Sequence, residues 1–220
     1  MSNAYTGTGV TPETPKNLLL GAGTIHKGLK FENGKWNFEE SLVGATSGGS
    51  KLSIKPETFT PELDNVMVKV KGMDFKMGET ANIEINFAEL STDIIKTAVI
   101  GVISEANTLP DFDLIESSPV INEGDYWENV AFVGQKTDGT NIIAILDNAI
   151  CTSGFEIDAK NKDTAKPKIT FECTQKPDGD TRILPYHIYY PKAKQQTDEV
   201  KSKEEPQTNE AKNSKEQQEG

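Results

Sequence analysis

The chain has 220 residues, 35% of them apolar, and carries a formal net charge of −11 with a pI near 4.8. A chain this acidic repels nucleic-acid phosphates and anionic lipid surfaces, which argues against sequence readout of DNA or RNA and against adhesion to membranes. An acidic wall would instead let DNA slide past without sticking.

Residues 1–17 are polar and carry Gly7, Gly9, Pro12 and Pro15, with neither a basic n-region nor an apolar h-region. They are expected to form a flexible N-terminal arm rather than a signal peptide. From Leu18 onward β signals dominate. Residues 24–31 read as a strand, Asn33-Gly34 as a tight turn, and residues 35–38 as the return strand. Residues 51–55 read as a short strand ended by Pro56. Residues 65–71 alternate, with Val66, Val68 and Val70 on one side. Residues 80–88 alternate as well, with Ala81, Ile83, Ile85 and Phe87 forming an apolar face.

One helix is predicted over residues 91–101. Ser91 is its N-cap, Asp93 suits the first turn, and Ile94, Ile95, Ala98 and Val99 share a face. Gly101 is the expected stop. Residues 104–127 form a long acidic loop with room for a short strand, and such loops usually have a job. A hairpin follows, formed by residues 129–135 and 141–146 and turned at Asp138-Gly139. Residues 142–146 are apolar on both faces and so need cover on both sides, from a helix, a second sheet or another subunit. That run is also far short of the roughly 20 residues of a membrane helix. Residues 154–159 and 168–174 read as a third strand pair, and residues 185–190 as a last aromatic strand. From residue 192 to 220 the composition turns to Lys, Glu, Gln, Asn and Thr, which cannot bury enough surface to offset ordering entropy, so a disordered tail is expected. The domain plan is therefore an arm (1–17), a β domain (18–191) and a tail (192–220).

No chemistry announces itself. Residues 44–51, Gly-Ala-Thr-Ser-Gly-Gly-Ser-Lys, imitate a phosphate loop, but Gly49 is followed by Ser50 and Lys51 by Leu52, so the required order fails. A glycine-rich turn is expected instead. Gly21-Ala22-Gly23 lacks the helix a dinucleotide fingerprint needs. Asp111, Asp113 and Glu116 lack the alternation and glycine of a calcium loop. His26 and His187 have no nucleophile arrangement around them and read as packing or surface residues. Cys151 and Cys173 are too few for a disulfide framework and read as buried free thiols. No catalytic, cofactor-binding or metal residue is assigned, and the chain is not expected to be an enzyme.

The order of these segments resembles a known family. Residues 18–27 (Leu-Leu-Leu-Gly-Ala-Gly-Thr-Ile-His-Lys), then Trp36, the stretch 44–49 leading into residues 51–54, two alternating segments around Gly72 and the helix at 91–101 resemble the tail tube (major tail) proteins of phages and prophages of Gram-positive bacteria. The stretch 147–157, a charged loop and the strand 169–173 fit the same pattern, which spans residues 18–176; the tail from 192 lies outside it. The resemblance implies a β-sandwich or barrel-like subunit with one short flanking helix. It implies hexameric rings stacked into a tube whose lumen conducts DNA, without cofactors or a membrane. It also implies tape-measure, tail-terminator and baseplate or distal tail proteins as partners, and a place in the virion tail after synthesis in the bacterial cytoplasm. The alternatives are the inner tube of a contractile tail or phage-tail-like bacteriocin, a β-sandwich binding module such as an adhesin or carbohydrate-binding domain, and an enzyme on a β scaffold.

Overall fold

The strongest alternating segment becomes the heart of the fold. In a computed structural model that describes residues 9–106, 109–157, 161 and 165–192, Ala81, Ile83, Ile85 and Phe87 are completely buried. They lie on β5 (Phe75–Phe87). The other elements, in chain order, are β1 (Leu19–His26), β2 (Phe31–Glu32), β3 (Lys35–Trp36), the one-turn α1 (Phe38–Ser41), β4 (Thr46–Phe59), α2 (Thr92–Val99), β6 (Gly101–Ile103), β7 (Ile115–Ser117), β8 (Trp127–Lys136), β9 (Asn141–Cys151), β10 (Lys168–Cys173) and β11 (Tyr186–Tyr189).

The protein is mainly β. Its main sheet is antiparallel, in the order β1-β8-β9-β10-β5-β4, with β11 on the first half of the edge of β9 and β10 on the second half. The two ends of this sheet curl toward each other. His26 of β1 bridges Leu42, just before β4, and Val43 N–H donates to the Ile25 carbonyl at 3.0 Å. The sheet is thus stitched into a barrel-like shape at one end, which shields part of an otherwise open edge. Inside lies one core, in which Phe87, Phe171, Trp127, Ile25 and Leu146 pack together, with the Trp127 and Phe171 rings 4.6 Å apart.

β8 and β9 turn a corner together. Trp127 faces the core, as do Val130 and Phe132 further along; on β9, Leu146 does, and then Ala149 and Cys151. The inward positions therefore change parity on both strands at the same level, next to Asn129, whose φ is +49°. Strands that pass from one layer to the other commonly bend at such a point.

The double-sided apolar run on β9 has its cover. Ala144 and Leu146 are buried on one face; Ile143 and Ile145 pack on the other against Leu29, Trp36 and Phe38. The cover comes from the chain's own segment 27–42, not from a second subunit. That segment holds a hairpin turned, as expected, at Asn33 and Gly34, both at positive φ, but its incoming strand is only Phe31–Glu32: the strand expected over 24–31 ends at His26 and pairs with β8. Its return strand ends at Trp36, because Phe38 already starts α1.

Several sequence expectations change. Residues 65–71 are not a strand: they belong to the connection between β4 and β5, and Val66, Val68 and Val70 are exposed. Their alternation has no neighbouring strand to pair with. The strand at 51–55 is the middle of the 14-residue β4, which runs straight through Pro56. Proline is tolerated there because β4 is the edge strand and needs no donor on its outer side. Residues 154–157 form no strand, and residues 158–160 lie outside the described residues; β10 pairs with β5 and β9 instead. The first strand begins five residues earlier than residue 24, at Leu19, and contains an irregularity between Leu20 and Thr24. Gly23 fits there because a Cβ would sit 2.4 Å from the Phe132 ring, and its φ is +71°.

The predicted helix is α2. Ser91 Oγ accepts from Ile94 N–H at 3.3 Å, and Ile94, Thr97 and Ala98 are buried, while Val99 faces outward. Its left-handed terminal residue is Ile100 rather than Gly101. Gly101 opens β6 and needs its lack of a side chain for a different reason, since a Cβ would lie 2.7 Å from the Glu116 carbonyl. In the N-terminal arm, Thr14–Asn17 form a single 3-10 turn, and the Thr137 hydroxyl donates to the Pro15 carbonyl. Residues 1–8 and 193–220, which hold most of the arm and tail expectations, lie outside the described residues.

Candidate interaction surface

β4 and β5 form one long hairpin whose two halves differ. In the half near residue 87, Leu52 and Ile54 of β4 lie against the core beside the buried face of β5. In the other half, residues 55–59 and 75–77 are all exposed although the ladder continues to Phe59 and Phe75. Two paired strands without a covered face gain little from their own hydrogen bonds. The connection, residues 60–74, is nonetheless held in shape. Thr60 Oγ1 donates to Asp74 Oδ1, Lys69 Nζ lies 3.0 Å from Asp74, and Val66 and Met73 N–H groups close turns onto Leu63 and Val70 carbonyls. The Thr60 hydroxyl, followed by Lys69, holds the Asp74 carboxyl below its ordinary range.

This clasped tip is apolar. Met67 is 97% exposed, and Phe59, Leu63, Val68, Phe75 and Met77 are each more than half exposed. A shallow groove of about 530 Å³ runs between Leu63, Val66, Met67, Val70 and Met73. Scattered exposed apolar residues are ordinary; here several of them gather at one end of the hairpin and share a groove, which makes this a candidate contact surface. Burying each of these side chains is worth roughly 1.5–3 kcal/mol.

A second apolar surface lies on the flank. β6 pairs with β7, and Val102, Ile103, Val120 and Ile121 are exposed around them. The predicted long loop accordingly contains the short strand β7 and a 3-10 turn at Glu123–Asp125. Thr92 Oγ1 donates to Asp113 Oδ2 at 2.9 Å, so this carboxylate ties the loop to α2. The helix is anchored from below as well: Trp127 Nε1 donates to Thr97 Oγ1 at 3.0 Å, and Lys27 pairs with Asp93 at 2.8 Å while lying over the Trp127 ring.

The residues singled out for possible chemistry do not converge. His26 is buried; its Nδ1 lies 2.9 Å from Ser41 Oγ and its Nε2 lies 2.8 Å from Thr24 Oγ1. Ser41 already donates to the Asn37 carbonyl at 2.7 Å, so its oxygen accepts from the imidazole and is not set up as a nucleophile. Burial pushes the His26 pKa down, partly opposed by a hydrogen bond with the Phe38 backbone. His187 lies exposed on β11, 3.1 Å from Asp147. Both cysteines are buried and free, on β9 and β10, and burial pushes the Cys173 thiol up to about 12. Gly48 and Gly49 lie in a register irregularity of β4, with no helix following them. Among the described residues, no three metal-ligating side chains come together and no helix is long and apolar enough to cross a membrane.

No protein-family model matches the chain, and no curated protein matches it.

The sequence pointed to the loop at 104–127 and missed the hairpin tip. One signal was present: five apolar residues in the eight from Leu63 to Val70, with no neighbouring strand to cover them.

Proposed function

We propose that the chain is a self-assembling structural subunit, and that the assembly is the tube of a bacteriophage-type tail. The observation that carries this is the β4–β5 hairpin, whose outer half leaves the barrel with an apolar, internally clasped tip and no cover of its own. A monomer gains nothing from such a tip. A second copy that buries it gains several side chains' worth of hydrophobic stabilisation. A contact between one patch and a different patch on an identical subunit is head-to-tail, and repeated it gives rings and filaments. The tail-tube resemblance supports the specific assembly: stacked hexameric rings around a lumen, with tape-measure, terminator and baseplate or distal tail proteins at its ends. The net charge of −11 suits a channel that passes DNA without binding it. No catalytic step is assigned to the chain.

Concentrated protein viewed by negative-stain microscopy is expected to show rings or hollow tubes. A particle that stays monomeric at every concentration contradicts the proposal.

A further inference from the structure

At the corner where β8 and β9 change faces, the outer side of the sheet opens into a cleft of about 680 Å³. Its floor is Asn148 of β9, directly across the ladder from Glu128 of β8. Asn148 is only 9% exposed. Its carbonyl accepts from Thr174 N–H at 2.9 Å, but its side-chain amide has no hydrogen-bond partner among the described residues. The amide is not sealed from solvent, as the buried Ser50 Oγ and Asn82 Oδ1 are, so it presents its donor and acceptor to whatever fills the cleft, water or ligand.

The walls suggest which partner. Glu123, Glu128 and Asp178 line the cleft with acceptors only, and Tyr126 lines the same space. Lys176 approaches Glu128 at 3.5 Å, with both side chains more than half exposed. An exposed pair of this kind holds weakly and is open to exchange.

We propose that this cleft binds a neutral saccharide of about two rings. Hydroxyl groups donate to the carboxylates and both donate to and accept from the Asn148 amide, while the C–H face of a sugar packs on the Tyr126 ring. The volume is that of an ordinary small-ligand site. Anionic ligands are disfavoured, because three carboxylates outweigh one ammonium. This inference does not depend on the tube proposal: it rests on a different face and a different observation.

The test is titration of the full chain with cellobiose, maltose and N,N′-diacetylchitobiose, followed by saturation-transfer NMR and calorimetry. At least one disaccharide is expected to bind with a Kd of about 1 mM or tighter. Asn148→Ala is expected to weaken that binding about tenfold or more, and Glu128→Gln and Tyr126→Ala a few-fold each. Glu128 is exposed, so Glu128→Gln keeps the test decisive should Asn148→Ala fold poorly. Absence of binding by all three sugars overturns the proposal. So does binding unchanged in folded Glu128→Gln and Tyr126→Ala proteins, or a cleft that takes up arginine amide but no sugar.

Discussion

The two halves of the β4–β5 hairpin share strands, pairing and chemistry, yet one half is core and the other is surface. Near residue 87 the inward side chains of β5 meet β10, α2 and β8 and lose all contact with water; near residues 59 and 75 comparable apolar side chains stay more than half exposed. Pairing alone does not bury a strand; a second layer does. Stability should therefore be concentrated in the inner half, and the outer half should matter only when another molecule covers it.

The largest effect that sharpens this contrast is Phe87→Ala. Removing a fully buried ring from the inner half should cost about 3–5 kcal/mol, read as a lower denaturant midpoint. Met67→Asp or Val68→Asp at the tip should change the unfolding free energy by less than about 0.5 kcal/mol and leave that midpoint almost unmoved, since exposed positions away from special backbone sites tolerate change. An equal loss from both kinds of change would break the comparison.

Gly23→Ala comes next. Its Cβ would meet the Phe132 ring at 2.4 Å in a left-handed backbone, so a loss of about 1–3 kcal/mol is expected in thermal unfolding. Gly139→Ala also has φ above zero, but nothing lies within 4 Å of its Cβ position, so it should cost less.

His26 should produce a smaller, pH-dependent effect. Its folded pKa is lowered by burial, so below about pH 6.5 the unfolded chain takes up a proton that the folded chain resists. Stability should be full well above that point and fall as pH drops below it. Urea unfolding on both sides of that point should show the slope in the native chain and a flatter profile in His26→Gln. The smallest effect concerns Asp138 in the β8–β9 turn. The Thr140 hydroxyl and backbone N–H, together with Lys136, hold its carboxyl down to about 2. Carboxyl NMR should find it still ionised at about pH 3, where exposed aspartates are mostly protonated.

Sequence patterning resolved the parts of the fold whose burial is one-sided. The face of Ala81, Ile83, Ile85 and Phe87 was legible because polar residues alternate with it, and the turns at Asn33-Gly34 and Asp138-Gly139 were legible because few residues accept positive φ. The corner at Asn129 was not, because a change of facing on β8 and β9 breaks the very alternation used to find strands. Nor could apolarity say which cover Ile143 and Ile145 receive: Leu29, Trp36 and Phe38 reach them only through the fold. Residues 65–71 misled for the opposite reason. Alternation there marks an apolar tip, and nothing local distinguishes an unpartnered tip from a paired strand. Asn148 carried no signal at all, since only the fold places it against a cleft.

The most direct test of the central claim is negative-stain microscopy of the native chain beside Met67→Asp and Val68→Asp at matched high concentration. Rings or tubes in the native sample, lost in both variants while their unfolding midpoints stay unchanged, are the predicted result. A native chain that remains monomeric, or variants that assemble as well as the native protein, would contradict it.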